Sequence, residues 1–172
     1  DIDISKSSRR KSKKARKLKT IPHQEQTPQY KLKTITPKTN NQSEIFYAYE
    51  DDINIFIHGL AGTGKTFISL YLALQEVLSG KSKKKKIAIV RSIVPTRDIG
   101  FLPGNKKDKM AEYEAPYRAI CQELFTIPNA YDTLKTRGII DFVPTSFIRG
   151  MTINDTIIIA DESQNCTFHE LD

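Results

Sequence analysis

Cysteine is scarce in this sequence. Cys121 and Cys166 are the only two, and they stand far apart with no Cys-x-x-Cys and no Cys/His spacing around them. That excludes a disulfide scaffold and a zinc site, and a reducing, cytoplasmic compartment is expected. Both thiols read as small packed side chains without chemistry. Long apolar runs are lacking too. Hydrophobic residues make up 38% of the 172 and mean hydropathy is −0.44, which allows a core. No stretch approaches the roughly 20 apolar residues that a bilayer crossing needs. The basic N-terminal stretch has no apolar segment behind it, so no signal peptide is expected. Acidic residues are short in one region alone. Residues 1–40 carry twelve Lys/Arg against Asp1, Asp3 and Glu25, a net of +9, whereas residues 41–172 have a net of −2. The overall charge of +7 therefore belongs to a tail, and the rest is no basic nucleic-acid module in bulk.

The chain length suits one domain with a tail. Residues 1–20 are dense in like charge and poor in apolar side chains, so they are expected to be disordered. Residues 21–40, with Pro22, Pro28 and Pro37, read as an extended linker. The folded part is expected from Asn40 to the end, residues 40–172. A short helix is predicted at 43–49 and an apolar, β-branched strand at 53–58. In 65–79, Phe67, Leu70, Tyr71, Leu74, Val77 and Leu78 recur at helical spacing, and Ile68, Leu72 and Ala73 fill the other side. That pattern fits a helix wedged against a sheet. A strand follows at 87–90, and a helical region runs from Met110 to Leu124, restarted at Pro116. Strands are predicted at 139–143 and 156–160. Strands alternating with helices predict an α/β fold with a parallel sheet flanked by helices.

Gly59-Leu60-Ala61-Gly62-Thr63-Gly64-Lys65-Thr66 fits G-x-x-x-x-G-K-[ST] throughout, between a predicted strand and a predicted helix. Glycines let backbone N–H groups converge on phosphate oxygens, and the helix N-terminus adds partial positive charge. Gly59, Ala61, Gly62, Thr63 and Gly64 would cradle the phosphates. Lys65 would reach the β- and γ-phosphates, and the Thr66 hydroxyl would ligate Mg²⁺. A second, acidic part follows at 157–162, where an apolar strand ends in Asp161-Glu162. Asp161 is placed to hold Mg²⁺ through water, and Glu162 to polarise an attacking water. The chain is expected to bind a nucleoside triphosphate. Asn105-Lys106-Lys107-Asp108 spells the guanine-reading N-K-x-D, but it precedes the acidic motif and no glycine follows Asp161 in a D-x-x-G turn. ATP, with Mg²⁺, is the expected cofactor.

Asp161-Glu162-Ser163-Gln164-Asn165 resembles the D-E-x-Q box of superfamily 1 helicase-like ATPases. That resemblance implies a RecA-like core in which Gln164 senses the γ-phosphate. It also implies an adenine-reading glutamine upstream of the phosphate loop, a position that Gln42, seventeen residues before Gly59, can fill. More of the chain resembles the PhoH-like family, phosphate-starvation-inducible ATPases of bacteria and their phages. The matching stretches are Gly62-Thr63-Gly64-Lys65-Thr66, Gly100-Phe101-Leu102-Pro103-Gly104, Pro116-Tyr117, Arg149-Gly150-Met151-Thr152 and the D-E-x-Q box, in order over about residues 37–167. One departure is Ser92 after Arg91, where the bacterial pattern has Arg-Pro. The resemblance implies an ATPase acting on RNA or single-stranded nucleic acid, in the cytoplasm of a bacterial or phage-infected cell, and ring-shaped homo-oligomers. It further implies a sensor strand and γ-phosphate arginines beyond the acidic (Walker B) strand. The chain is accordingly expected to be an N-terminal fragment, incomplete at its C-terminal side and slow in hydrolysis.

Arg91 and Arg97 follow a strand's C-terminal end, where such proteins contact nucleic acid or nucleotide; structural ion pairing is the other reading. Arg149 has the same two readings. The lysine run at 81–86 is a solvated loop or a nucleic-acid backbone contact, and the basic tail is a phosphate-binding arm or a solubilising one. The tail lacks the interleaved aromatics that base stacking uses. The leading reading is nucleic-acid-coupled hydrolysis. The alternative is a nucleotide-dependent switch or assembly subunit without translocation.

Overall fold

The computed structural model describes residues 31–93 and 106–171. Six α-helices, three strands and a short 3-10 helix at Ser163–Asn165 lie along them. Helix α1 spans Asn40–Glu50, α2 Lys65–Ser79, α3 Lys106–Leu124, α4 Ala130–Thr136, α5 Thr145–Ile148 and α6 Phe168–Leu171. Strand β1 is Lys86–Arg91, β2 Ile140–Pro144 and β3 Thr156–Asp161. The strands form one parallel sheet in the order β2-β1-β3. Central β1 is buried along Ile87–Val90, as expected for a parallel strand covered on both faces. The register sets Arg91 opposite Pro144 on one side and Asp161 on the other. The C-terminal ends of all three strands therefore finish in one row.

Helix α2 anchors the core. Leu70, Ala73 and Leu74 are fully buried, together with Ile87 and Ile89 of β1 and Leu124 of α3. The helix stops where Gly80 takes φ 68°, a left-handed conformation that ends helices at little cost for a residue without Cβ. Phe46 of α1 packs on Tyr71 of α2, with ring centroids 6.0 Å apart. Tyr117 of α3 packs on Phe142 of β2 at 5.9 Å. Glu114, on the same helix, is a buried carboxylate held by Lys135 at 2.6 Å and Arg118 at 3.2 Å. Two cations on one buried carboxylate offset its desolvation and pin α3 to α4.

Four details differ from the sequence-based expectation. Residues 53–58 form no strand and enter no ladder among the described residues. Their composition favours a strand, but a strand exists only where a neighbour takes up its N–H and C=O groups, and Ile53 and Phe56 remain exposed. Helix α3 runs unbroken through Pro116 rather than restarting there. Pro116 and Glu112, whose carbonyl loses its N–H partner, are both exposed, so water can satisfy that group. Residues 31–39, which composition assigns to a linker, lie on the body. Leu32 bridges Phe125, Lys33 N donates to Leu124 O at 2.9 Å, and Ile35 N donates to the Tyr71 hydroxyl at 3.2 Å. Seven-residue α4 and the four-residue α5 and α6 are too short to show a helical period.

The segment after β3 is tied to the strand ends by one carboxylate. Glu170 accepts hydrogen bonds from the Ser92 hydroxyl at 3.2 Å, from the Thr145 hydroxyl, and from both the N–H and the hydroxyl of Thr167. Ser92, the residue that departs from the family pattern, thus has a structural use. These donors, the Thr145 hydroxyl first, hold the Glu170 carboxyl well below the usual range, at about 2. A carboxylate depressed in the folded state contributes stability above its unfolded value, near 4.5, and that contribution fades as pH falls towards 2. Urea midpoints measured from pH 6 to pH 2 should therefore decline more steeply for the wild-type chain than for Glu170→Gln. Leu74→Ala, which empties a fully buried site, should cost about 2–5 kcal/mol of unfolding free energy by urea titration.

Candidate nucleotide site

The phosphate loop, residues 59–66, enters helix α2 at its N-terminus. Gly62 and Gly64 take φ 77° and 83°, which side chains with a Cβ rarely adopt. At Gly64 an added Cβ would also stand 3.8 Å from the Gln42 Nε2. Thr63 closes the turn by donating from Oγ1 to Leu60 O at 2.9 Å, and Ala61 lies exposed at its tip. Lys65 Nζ donates to the carbonyls of Gly59 and Leu60, both at 2.9 Å. The ammonium is thereby held within its own loop.

Thr66, in the first turn of α2, donates from Oγ1 to Asp161 Oδ1 at 2.9 Å, across 95 residues of sequence. Packing of α2 on the sheet makes this contact, because it puts the start of the helix beside the C-terminal end of β3. Tyr117 donates to the second carboxylate oxygen, Asp161 Oδ2, at 2.8 Å. Burial, and then the Asp161 carboxylate itself, push the Tyr117 phenol well above its ordinary value, so it stays protonated and serves as a donor. Glu162 follows with φ 52°, left-handed for a residue with a Cβ. Such strain persists where surrounding structure holds it, often at functional sites. Gln164 Nε2 donates to the Glu162 carboxylate, so the glutamate and the glutamine of the D-E-x-Q box meet.

Gln42 joins α1 to the loop. Its Oε1 accepts from Lys38 N at 2.8 Å and its Nε2 donates to Thr63 O at 3.3 Å. Beside it an open cavity of about 350 Å³ is lined by Ile35, Pro37, Gln42, Phe46, Gly62 and Phe67 among others. Residues 31–39 supply one wall of that cavity, a contribution their linker-like composition conceals. Thr66 and Asp161 offer hard oxygen donors. Among the described residues no group of three or more His, Cys, Asp or Glu could cage a metal. Mg²⁺ needs no such cage, since it is held by one or two protein oxygens, water and substrate phosphates. The residues present fit it.

The structure thus brings together Gln42, Gly59, Ala61, Gly62, Thr63, Gly64, Lys65, Thr66, Asp161, Glu162 and Gln164 at one end of the sheet. Arg91 lies in register with Asp161, with its guanidinium 6.0 Å from the Tyr113 ring centroid and beside the Tyr117 hydroxyl. It therefore adjoins the acidic motif. Arg149 donates to the carbonyl of His169, which ties the loop after α5 to α6. Arg97, residues 100–104, the N-K-x-D asparagine and the basic tail to residue 30 lie outside the described residues. Tyr117 is the site residue that motif reading passes over. The Pro116-Tyr117 pair is visible in the sequence, but its contact with Asp161 spans 44 positions and has no local signature. Burial pushes the Cys121 thiol up to about 12, so it is no nucleophile at neutral pH. No described helix is long and apolar enough to cross a membrane.

Comparison with known proteins gives the family. The family described as PhoH-like protein matches residues 34–172. A PhoH-like protein of Bacillus subtilis (strain 168) is 34% identical over 145 residues, covering 84% of this chain and 44% of the relative. One from Mycobacterium tuberculosis (strain ATCC 25618 / H37Rv) is 32% identical over 140 residues, covering 81% of this chain and 39% of the relative. Protein PhoH2 of Bacillus subtilis is 36% identical over 126 residues, covering 71% and 28%. The chain spans less than half the length of these relatives. With a phosphate loop, a parallel sheet flanked by helices and an acidic strand end in contact with the loop's threonine, the chain belongs to the PhoH-like family and has its P-loop NTPase-like α/β fold.

Proposed function

We propose that this chain is the ATP-binding portion of a Mg²⁺-dependent ATPase that acts on RNA or single-stranded nucleic acid in the cytoplasm. One observation supports the nucleotide reading above others, the 2.9 Å bond between Thr66 and Asp161. It joins the residue that follows the phosphate-loop lysine to a carboxylate at a strand end, as a shared cation would require. The loop amides and the N-terminus of α2 bind the phosphates. Lys65 exchanges the Gly59 and Leu60 carbonyls for phosphate oxygens. The cavity beside Gln42 has apolar walls in Ile35, Pro37, Phe46 and Phe67 and polar groups in Lys38, Gln42 and Glu123, a mixture that suits a flat purine base with polar edges. Bound Mg²⁺ would neutralise phosphate charge. Thr66 and Asp161 would hold it, Glu162 would accept a proton from the attacking water, and Gln164 would orient Glu162 and sense the terminal phosphate.

The nucleic-acid partner and a ring-shaped homo-oligomer rest on family membership. Arg91 and Arg149 are the described arginines we assign to nucleic-acid contact, and Arg91 adjoins the catalytic carboxylates through the β1–β3 register. Lys65→Ala should weaken binding of a fluorescent ATP analogue about tenfold or more, since it removes a charge-assisted contact. Unchanged affinity would sink the nucleotide reading. Glu162→Gln in the full-length protein should retain binding and lower phosphate release about 10²–10⁴-fold. Stimulation of that release by RNA or single-stranded DNA tests the partner, and its absence with every nucleic acid would favour a nucleotide switch.

A further inference from the structure

Asp161 ends strand β3, whose registered partner among the described residues is β1. Its carboxylate could rotate, yet both oxygens are taken from different directions. Oδ1 accepts from Thr66 at 2.9 Å and Oδ2 from Tyr117 at 2.8 Å. The two donors differ in what a bound cation does to them. Thr66 would turn its oxygen towards the metal, so it belongs to the exchanging part of the site. Tyr117 has no such duty. Its side chain is 1% exposed, its ring is seated against Phe142, and its helix is pinned through Glu114 to Arg118 and Lys135. Arg91 lies beside the hydroxyl, which donates to the carboxylate.

From this arrangement we infer that Tyr117 is a positioning residue of the metal site, which holds Asp161 in the orientation that receives Mg²⁺ independently of Thr66. The inference rests on the Mg²⁺-nucleotide reading above and assigns a new residue to it. Partners that orient metal ligands typically alter metal affinity by about 10–100-fold when removed. Tyr117→Phe keeps the ring on Phe142 and deletes only the hydroxyl.

The test is a titration of a fluorescent ATP analogue against the chain at graded Mg²⁺ concentrations and in EDTA. Tyr131→Phe serves as the control, since Tyr131 is equally buried and does not touch Asp161. Tyr117→Phe should raise the half-saturating Mg²⁺ concentration about tenfold. Its affinity in EDTA and at saturating Mg²⁺ should equal that of the wild-type chain, as should its circular dichroism. An unchanged Mg²⁺ midpoint, an equal rise in Tyr131→Phe, or affinity lowered alike at every Mg²⁺ concentration would overturn the positioning role and leave the nucleotide reading standing. A Tyr117→Phe chain that failed to fold would overturn it as well, by giving the hydroxyl to stability. Absence of binding by the wild-type chain would overturn the nucleotide reading, and this inference with it.

Discussion

The hydrogen bond from Thr66 to Asp161 is the constraint around which the other features are arranged. Neither residue is near the other in sequence, and neither local propensity nor motif spacing brings them within reach. What does so is the packing of α2 on the sheet together with the register of β1 and β3. Leu70, Ala73 and Leu74 fix the helix by filling interior volume that has no slack. A shift of α2 by one ridge would cost core contacts before it could move the threonine. The apolar interior is therefore part of the site, since it sets where the two oxygens stand.

A second set of constraints approaches from α3. Its buried Glu114 is neutralised by cations from α3 and α4, and such an ion pair stabilises little in net terms after desolvation. Its effect is geometric. Removing freedom from α3 carries over to Tyr117, three residues further along and on the inward side of the helix. The acidic strand end is thereby held between two helices that are each fixed by other means.

Much of this was legible in the residues. The apolar recurrence in 65–79 is so complete that α2 has the expected bounds, and the loop before it needs its glycines at fixed offsets. The ends of the three strands that form were legible to within a residue, because β-branched runs there are bounded by polar turns. The legible part stops where structure depends on a partner distant in sequence. Residues 53–58 have strand composition but no described neighbour to pair with. Residues 31–39 have linker composition yet find Phe125, Leu124 and Tyr71 to bind. Tyr117 and Glu170 each meet their partners through folding alone, and one tyrosine or one glutamate in a sequence gives no hint of a distant acceptor or donor.

The position of Lys65 sets a condition on any ligand. Its ammonium already has two carbonyl acceptors within the loop, so a newcomer gains nothing by merely offering a hydrogen bond. It must carry formal negative charge to draw the cation out, because neutral oxygens would only replace like with like. On the nucleotide reading that we propose, the loop would discriminate between phosphorylated and unphosphorylated forms of the same base. In that reading a free nucleoside could fill the neighbouring cavity and still leave the lysine where it is, so filling of the cavity and opening of the loop would be separate events.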